Sequence, residues 1–276
     1  MNGLATIDPS APLVLVGAGK MGGALLSGWL ERGLDPQAVV VIDPAPPEDS
    51  AAMLSLAGIV PRAAVPEGVT AKVVVVAVKP QIMGKVLPGL RPLLGPETVV
   101  LSIAAGTTLA SLEAGLGAAP IVRSIPNTPA QIGRGITGAV ANSRVDAAAK
   151  TLVTGLLEAV GAVVWVDRES DIDAVTAVSG SGPAYVFLLA ECLAEAAAAL
   201  GLPAELAGQL ARATVEGAGE LLYRSELAPA ELRKNVTSPN GTTAAALSVL
   251  MAEDGLGPLM KRAVAAARRR SEELSA

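Results

Sequence analysis

Leu13-Val-Leu-Val16-Gly17-Ala18-Gly19-Lys20-Met21-Gly22-Gly-Ala-Leu-Leu26 decides the fold class of this chain. Its four leading apolar residues suit a strand of a parallel sheet, which is covered on both faces and shows no polar alternation. G-x-G-x-x-G follows at once and opens a helical run. In that setting Gly17 permits the tight turn, Gly19 lets the backbone approach a pyrophosphate, and Gly22 allows the helix to pack on the sheet. The helix N-terminus turns free N–H groups and a positive partial charge on the phosphates. Gly17, Ala18, Gly19, Lys20, Met21 and Gly22 are therefore the expected dinucleotide cradle. The competing reading is a glycine-rich turn with no ligand.

Outward from this stretch the first half of the chain alternates β-type and helical runs. Strands are expected at residues 13–16, 38–42, 59–60, 73–78, 99–103, 121–124, 138–140 and 162–166, with helices such as 23–32 and 51–57 between them. That alternation is the pattern of a doubly wound α/β sheet of Rossmann type. After Asp167 the strands stop. Residues 171–178, 182–201, 204–224, 228–234, 242–253 and 256–274 read as helices, several of them separated by Gly201-Leu202-Pro203, Ser225 and Ser238-Pro239-Asn240-Gly241. The expectation is a dinucleotide-binding domain over 1–167 and an all-helical domain over 168–276.

Composition narrows the chemistry. The 276 residues include no histidine and one cysteine, Cys192, so imidazole acid–base catalysis, His-ligated metals and multi-cysteine zinc sites are excluded, and no metal site is expected. A net charge of −5 argues against a nucleic-acid partner. Hydrophobic residues make up 51% of the chain, aromatic ones 2% and charged ones 17%, with a mean hydropathy of +0.50. So much apolar residue points to surface hidden between subunits, hence an oligomer. A membrane span is excluded on run length, because Lys72 splits one apolar stretch and Glu191 and Glu195 punctuate another. The N-terminus lacks a basic region and does not resemble a signal peptide, so the chain is expected in the cytoplasm.

Two sites are left with alternatives. Asp43, at the end of the second strand, either hydrogen-bonds a ribose 2′-hydroxyl, repelling a 2′-phosphate and favouring NADH, or caps the Pro44–Pro47 turn. Residues 44–61 hold no Arg or Lys; Arg62 is the first, and Lys20 is the one cation inside the loop. Ser238-Pro-Asn240-Gly241-Thr242-Thr243, ahead of an apolar helix, is either an anion site for a small carboxylate or an ordinary N-cap.

Taken together with Ala77-Val-Lys-Pro-Gln81, Arg123-Ser-Ile-Pro-Asn-Thr-Pro-Ala130, Ala177-Val-Ser-Gly-Ser-Gly-Pro-Ala-Tyr185 and Val236-Thr-Ser-Pro-Asn-Gly-Thr-Thr243, in that order, the chain closely resembles the pyrroline-5-carboxylate reductase family. The resemblance implies NADPH- or NADH-dependent reduction of the cyclic imine 1-pyrroline-5-carboxylate to proline, the last step of proline biosynthesis. It implies a helical domain that interlocks with its twin in a homodimer, often assembled further into a decamer, and an active site completed by the partner. Carried over residue by residue, Val78, Lys79, Pro80, Ala104, Ala105 and Asn235 resemble cofactor contacts. Ser238, Gly241, Thr242 and Thr243 resemble the substrate segment, with Thr243 as the catalytic hydroxyl, and Glu226 and Glu169 resemble two acidic residues near the substrate. One departure is Asn240, where the family has glycine; Asn tolerates the left-handed backbone better than most residues.

Structural roles are expected for the other motifs. Ser179-Gly-Ser-Gly-Pro183 should open the long helix, with Ser181 as cap and Pro183 in its first turn. Pro126-Asn-Thr-Pro129 reads as a rigid turn, Cys192 as a small buried hydrophobe and Arg268-Arg-Arg270 as a solvated helix end. The rival functions are a 3-hydroxyacid dehydrogenase-like enzyme, which would need a helical-domain lysine in a motif that Lys234 lacks, and a non-catalytic dinucleotide-binding regulator.

Overall fold

A computed structural model describes residues 7–275. Residues 1–6, on which part of the signal-peptide expectation falls, and residue 276 lie outside them. The elements run β1 (Leu13–Val16), α1 (Lys20–Glu31), β2 (Val39–Ile42), α2 (Glu48–Leu56), β3 (Ala71–Val76), α3 (Met83–Val86), β4 (Leu94–Ser102), α4 (Leu109–Leu116), β5 (Ile121–Ile125), β6 (Gly135–Ala141), α5 (Ala147–Leu157), β7 (Gly161–Trp165) and α6 (Asp171–Val175). The helices α7 (Gly182–Ala199), α8 (Ala204–Arg224), α9 (Pro229–Asn235), α10 (Thr242–Leu250) and α11 (Leu256–Ser275) follow.

The strands form one seven-stranded sheet in the order β2-β1-β3-β4-β5-β6-β7. β1 to β5 run parallel to one another, as do β6 and β7; the β5–β6 pair is antiparallel, so the last two strands run opposite to the rest. Residues 126–134 are too few for the crossover of a dozen or more residues that a parallel return needs, so the chain reverses there. The valines at 73 to 76 are fully buried, as the unbroken apolar run requires of a strand covered on both faces. From β1 the chain goes to β2 on one side, then crosses to β3 on the other. The C-terminal ends of β1 and β3 therefore form the switch point at which ligands bind in open α/β sheets.

The strand expected at 59–60 does not form. Gly58, at φ +70°, closes α2 with its N–H on the Ser55 carbonyl, and the Ile59 N–H returns to the Leu54 carbonyl. This left-handed helix stop uses Ile59, 6% exposed, as its apolar anchor and leaves Val60 outside. The pairing along β2 is made by Arg62, whose N–H donates to the Val41 carbonyl at 2.8 Å and whose carbonyl accepts from Asp43 at 2.9 Å.

α6 continues through a wide π-type turn, Thr176–Gly180, into α7. An α-helix would use the N–H of residue 183 on the Ser179 carbonyl, but Pro183 has none. Asn127 supplies the missing donor: its Nδ2 reaches that carbonyl at 3.1 Å, while its Oδ1 accepts from the Ile136 N–H at 2.9 Å. Pro183 sits in the first turn of α7 as expected, whereas the Ser181 side chain makes no capping bond.

The chain divides into two compact units, one running to Gly180 and taking in Arg268 onward, the other Ser181–Ala267. The break thus falls beyond residue 167, because α6 packs on the sheet: Ile172 is fully buried and Asp173 accepts a 2.6 Å bond from Ser271 Oγ. Within the second unit, α7 and α8 lie along each other across the short turn at 200–203. Its only buried apolar residues are Ala207 and Ala211, while Val186, Phe187, Leu188, Leu189 and Leu193 of α7 are exposed. Cys192 is exposed as well, contrary to the burial expected of it. By length and composition the helix Asp171–Ala199, 29 residues, is apolar enough to cross a bilayer, so run length alone does not exclude a span. A bare apolar helix face is also what a subunit interface presents before its partner covers it.

Candidate active site

In the first unit the loops after β1, β3 and β4 lie side by side at the switch point. The Ala77 N–H donates to the Val16 carbonyl at 2.8 Å, and the Ile103 N–H to the Val76 carbonyl at 3.1 Å. Gly17 has φ +94°, and a Cβ there would stand 2.9 Å from the Ala77 carbonyl oxygen and 3.1 Å from Val78 Cγ1. A Cβ on Gly22 would stand 2.2 Å from the Gly17 carbonyl oxygen. Both glycines are thus imposed by the fold. Gly19 differs: its backbone is extended, and a Cβ there would meet nothing within 4 Å. Among the described residues no protein atom requires glycine at position 19, which is what a surface reserved for the close approach of a pyrophosphate predicts. Gly19 is also the N-cap of α1 and makes no side-chain capping bond, so the first amides of α1 meet no capping side chain. These residues fit a dinucleotide.

Asp43 takes the capping role of the two readings left open for it, and adds a bond to the glycine loop that neither reading named. Its Oδ1 accepts from the Ala45 N–H at 2.9 Å, which caps the turn, and its Oδ2 accepts from the Ala18 N–H at 2.8 Å, which clasps the glycine loop. Arg62, 19 residues away in sequence, runs beside it through the backbone pairing with β2. The sequence separation hides that neighbour, and only an extended Val-Pro-Arg run after the helix stop hints at it. Val78 is half-buried, Lys79 and Pro80 are exposed on the loop after β3, and Ala104 is buried beside exposed Ala105 after β4.

In the second unit, Ser238–Thr243 forms a tight turn into α10. Asn240 has φ +59°, the one non-glycine left-handed residue among those described. Asn therefore does the work of the family's glycine without leaving the left-handed region. The Gly241 N–H closes the turn on the Ser238 carbonyl at 3.1 Å. Gly241 is the N-cap of α10, and no side chain caps that helix. The ordinary capping alternative is therefore not realised, and the first amides of α10 stand beside the hydroxyls of Thr242 and Thr243. Asn235 is exposed at the end of α9, and Glu226 is exposed between α8 and α9.

Glu169 belongs to the first unit and is already engaged there. Its Oε1 pairs with Arg123 Nη1 at 2.7 Å and accepts the Leu109 N–H at 2.7 Å. Arg123, on β5, is 2% exposed, and its Nε has no hydrogen-bond partner.

Both parts of the chain are similar to known proteins. A family described as "Pyrroline-5-carboxylate reductase dimerisation" matches residues 169–274, and one described as "NADP oxidoreductase coenzyme F420-dependent" matches residues 12–106. A pyrroline-5-carboxylate reductase of Pseudomonas aeruginosa is 44% identical over 264 residues, covering 95% of this chain and 96% of its own. One from Pisum sativum is 37% identical over the full length of both chains, 276 residues. Among solved structures, a pyrroline-5-carboxylate reductase from Coxiella burnetii superposes with a TM-score of 0.89 at 37% identity, covering 97% of this chain and 99% of its own. A Plasmodium falciparum pyrroline carboxylate reductase with NADP bound gives 0.80 at 29%, again covering 97% and 99%.

Fold and glycine cradle define an NAD(P)H-dependent oxidoreductase with a self-associating helical unit. The chain belongs to the pyrroline-5-carboxylate reductase family. It reduces the C=N bond of 1-pyrroline-5-carboxylate to give proline.

Proposed function

We propose that the chain divides this reduction between a dinucleotide cradle, residues 17–22 with Asp43, Val78, Lys79, Pro80, Ala104, Ala105 and Asn235, and a carboxylate-binding turn, Ser238–Thr243. The observation that carries the second half is the uncapped N-terminus of α10 behind left-handed Asn240. Ser238 and the amides after it hold the substrate carboxylate, and Gly241 keeps the turn narrow. When bound, the reduced dinucleotide supplies the hydride for the imine carbon. Thr243 holds a hydrogen bond at the ring nitrogen, which keeps the electrophilic carbon oriented. A protonated imine accepts hydride without a strong general acid, which is consistent with a chain that has no histidine. Glu226 completes the substrate side. In function, 1–167 serves the dinucleotide and 168–276 dimerisation and substrate, apart from α6 and the last turns of α11, which pack with the first unit.

NADH is the preferred dinucleotide on this reading. The Asp43 carboxylate stands at the glycine loop and repels a 2′-phosphate, and Arg62 flanks it without a hydrogen bond to it. The chain works in the cytoplasm as a homodimer that assembles further into a decamer. Nicotinamide absorbance, followed with 1-pyrroline-5-carboxylate and either NADH or NADPH, tests the assignment. A higher kcat/KM with NADPH would overturn the role given to Asp43, and sedimentation velocity reads the assembly.

A further inference from the structure

Arg123 is a buried charged side chain on a strand whose other residues, Ile121, Val122, Ser124 and Ile125, are uncharged and buried. A pair of well-packed apolar residues would serve stability at least as well as such a buried ion pair. What the pair fixes is geometry. Glu169 Oε1 accepts from both Arg123 Nη1 and the Leu109 N–H, each at 2.7 Å, and Leu109 is the first residue of α4. Its charge therefore sits where a helix N-terminus favours an anion. Between the end of β4 and Leu109 lies the loop 103–108, which carries Ala104 and Ala105. That loop is tied at its start by the Ile103 N–H on the Val76 carbonyl and at its end by Glu169. Its middle meets the last turn of α11: Gly106, at φ +71°, places the Cβ position 3.1 Å from the Leu274 carbonyl oxygen. The same turn supplies Ser275 Oγ as acceptor for Arg123 Nη2 at 3.3 Å, and Ser271 anchors it on Asp173 at 2.6 Å.

We propose that Arg123 and Glu169 are positioning residues for the dinucleotide, setting the loop 103–108 through the Leu109 amide, and that the last turn of α11 locks that setting. Glu169 then acts through this loop and not by touching the substrate. The inference rests on the reading that Ala104 and Ala105 face the dinucleotide.

The test is titration calorimetry of NADH and NADPH on the full-length protein, beside KM for the imine and a thermal melt. Glu169→Gln keeps the shape and removes the charge. It should raise the dinucleotide Kd about tenfold, the loss expected for a charge-assisted hydrogen bond, and leave the imine KM within about twofold. Glu169→Asp, which retains the charge, should recover part of that loss. An unchanged dinucleotide Kd with a raised imine KM would overturn the proposal in favour of direct substrate contact. Should Glu169→Gln fail to fold, Ser275→Ala removes only the outer acceptor. It should speed amide exchange at Leu109 and raise the dinucleotide Kd about twofold, and no change in either is a refutation. Ala105→Leu separates the underlying reading from the proposal. If it leaves dinucleotide binding intact, the loop does not face the cofactor and both fail; if it alone weakens binding while Glu169→Gln does not, only the positioning role fails.

Discussion

Gly19 and Gly22 lie three residues apart, yet alanine at each should fail in opposite ways. At Gly22 the added Cβ would sit 2.2 Å from the Gly17 carbonyl oxygen, backbone that cannot swing aside. The loop must retreat by about 1 Å, and overpacking of this kind costs about 1–3 kcal/mol. Gly22→Ala should therefore lower the melting temperature by roughly 2–4 °C for each kcal/mol, and weaken the dinucleotide as a secondary result. At Gly19 the backbone is already extended, φ −68° and ψ −172°, and the Cβ meets nothing within 4 Å. Stability should stay within about 1 kcal/mol of the parent and rise if it moves, because alanine restricts the unfolded chain. Dinucleotide affinity should fall about tenfold or more, since the methyl group holds a charged phosphate off the helix amides and each lost bond to a charged group is worth about 1.5–3 kcal/mol. Differential scanning calorimetry and isothermal titration on the two variants read both quantities. A Gly19→Ala protein that binds NADH or NADPH like the parent would refute the cradle.

Other outcomes follow from the same structure. Thr243→Val should cut kcat far more than dinucleotide affinity, and parental turnover would remove Thr243 from the chemistry. Asn240→Gly should be tolerated, whereas Asn240→Val forces a β-branched residue to φ +59°, costing about 1–2 kcal/mol and raising the imine KM; equal kinetics in both would deny the turn its role. Phe187→Asp, on the exposed face of α7, should shift the protein to smaller species in light scattering, by about 2 kcal/mol of association energy or more if Phe187 is an anchor. The Arg168 hydrogen bond holds the Asp171 carboxyl below its ordinary value. Its stabilising effect is thus present above the unfolded-state pKa and lost as pH falls through the folded one. Thermal melts of Asp171→Asn and the parent should differ at neutral pH and converge in acid; a gap that persists in acid would assign the effect to something other than charge.

Local patterns carried most of the fold. β1, the glycine loop and α1 were legible because each tells in its own residues: an unbroken apolar run, three glycines with distinct tasks, then a helical run. α8 matched its expected span because Pro203 and Ser225 bracket it. The failures share a cause. Ile59-Val60 has strand composition, but a glycine helix stop four residues earlier than Arg62 claims Ile59 for a different contact. The carboxylate of Glu169 is committed to Arg123 and Leu109, 46 and 60 residues away, a pairing that no periodicity announces. Arg62 beside Asp43 is the same kind of omission. Asn240 is the contrary case, since the conformation followed from the residue type and the motif alone.

The second unit buries only Ala207 and Ala211 among its apolar residues, and the dimerisation family that spans it points to another copy of the chain as the cover for the rest. Folding of that unit and meeting of subunits are then a single event, with an equilibrium that depends on protein concentration. Dilution should act on this enzyme as a mild denaturant does on others. The melting temperature should rise with loading concentration, and specific activity should decay in stocks held at trace levels. Newly made chains would pass through a vulnerable interval, ended only by encounter with a sibling, in which α7 is open to proteases and to aggregation.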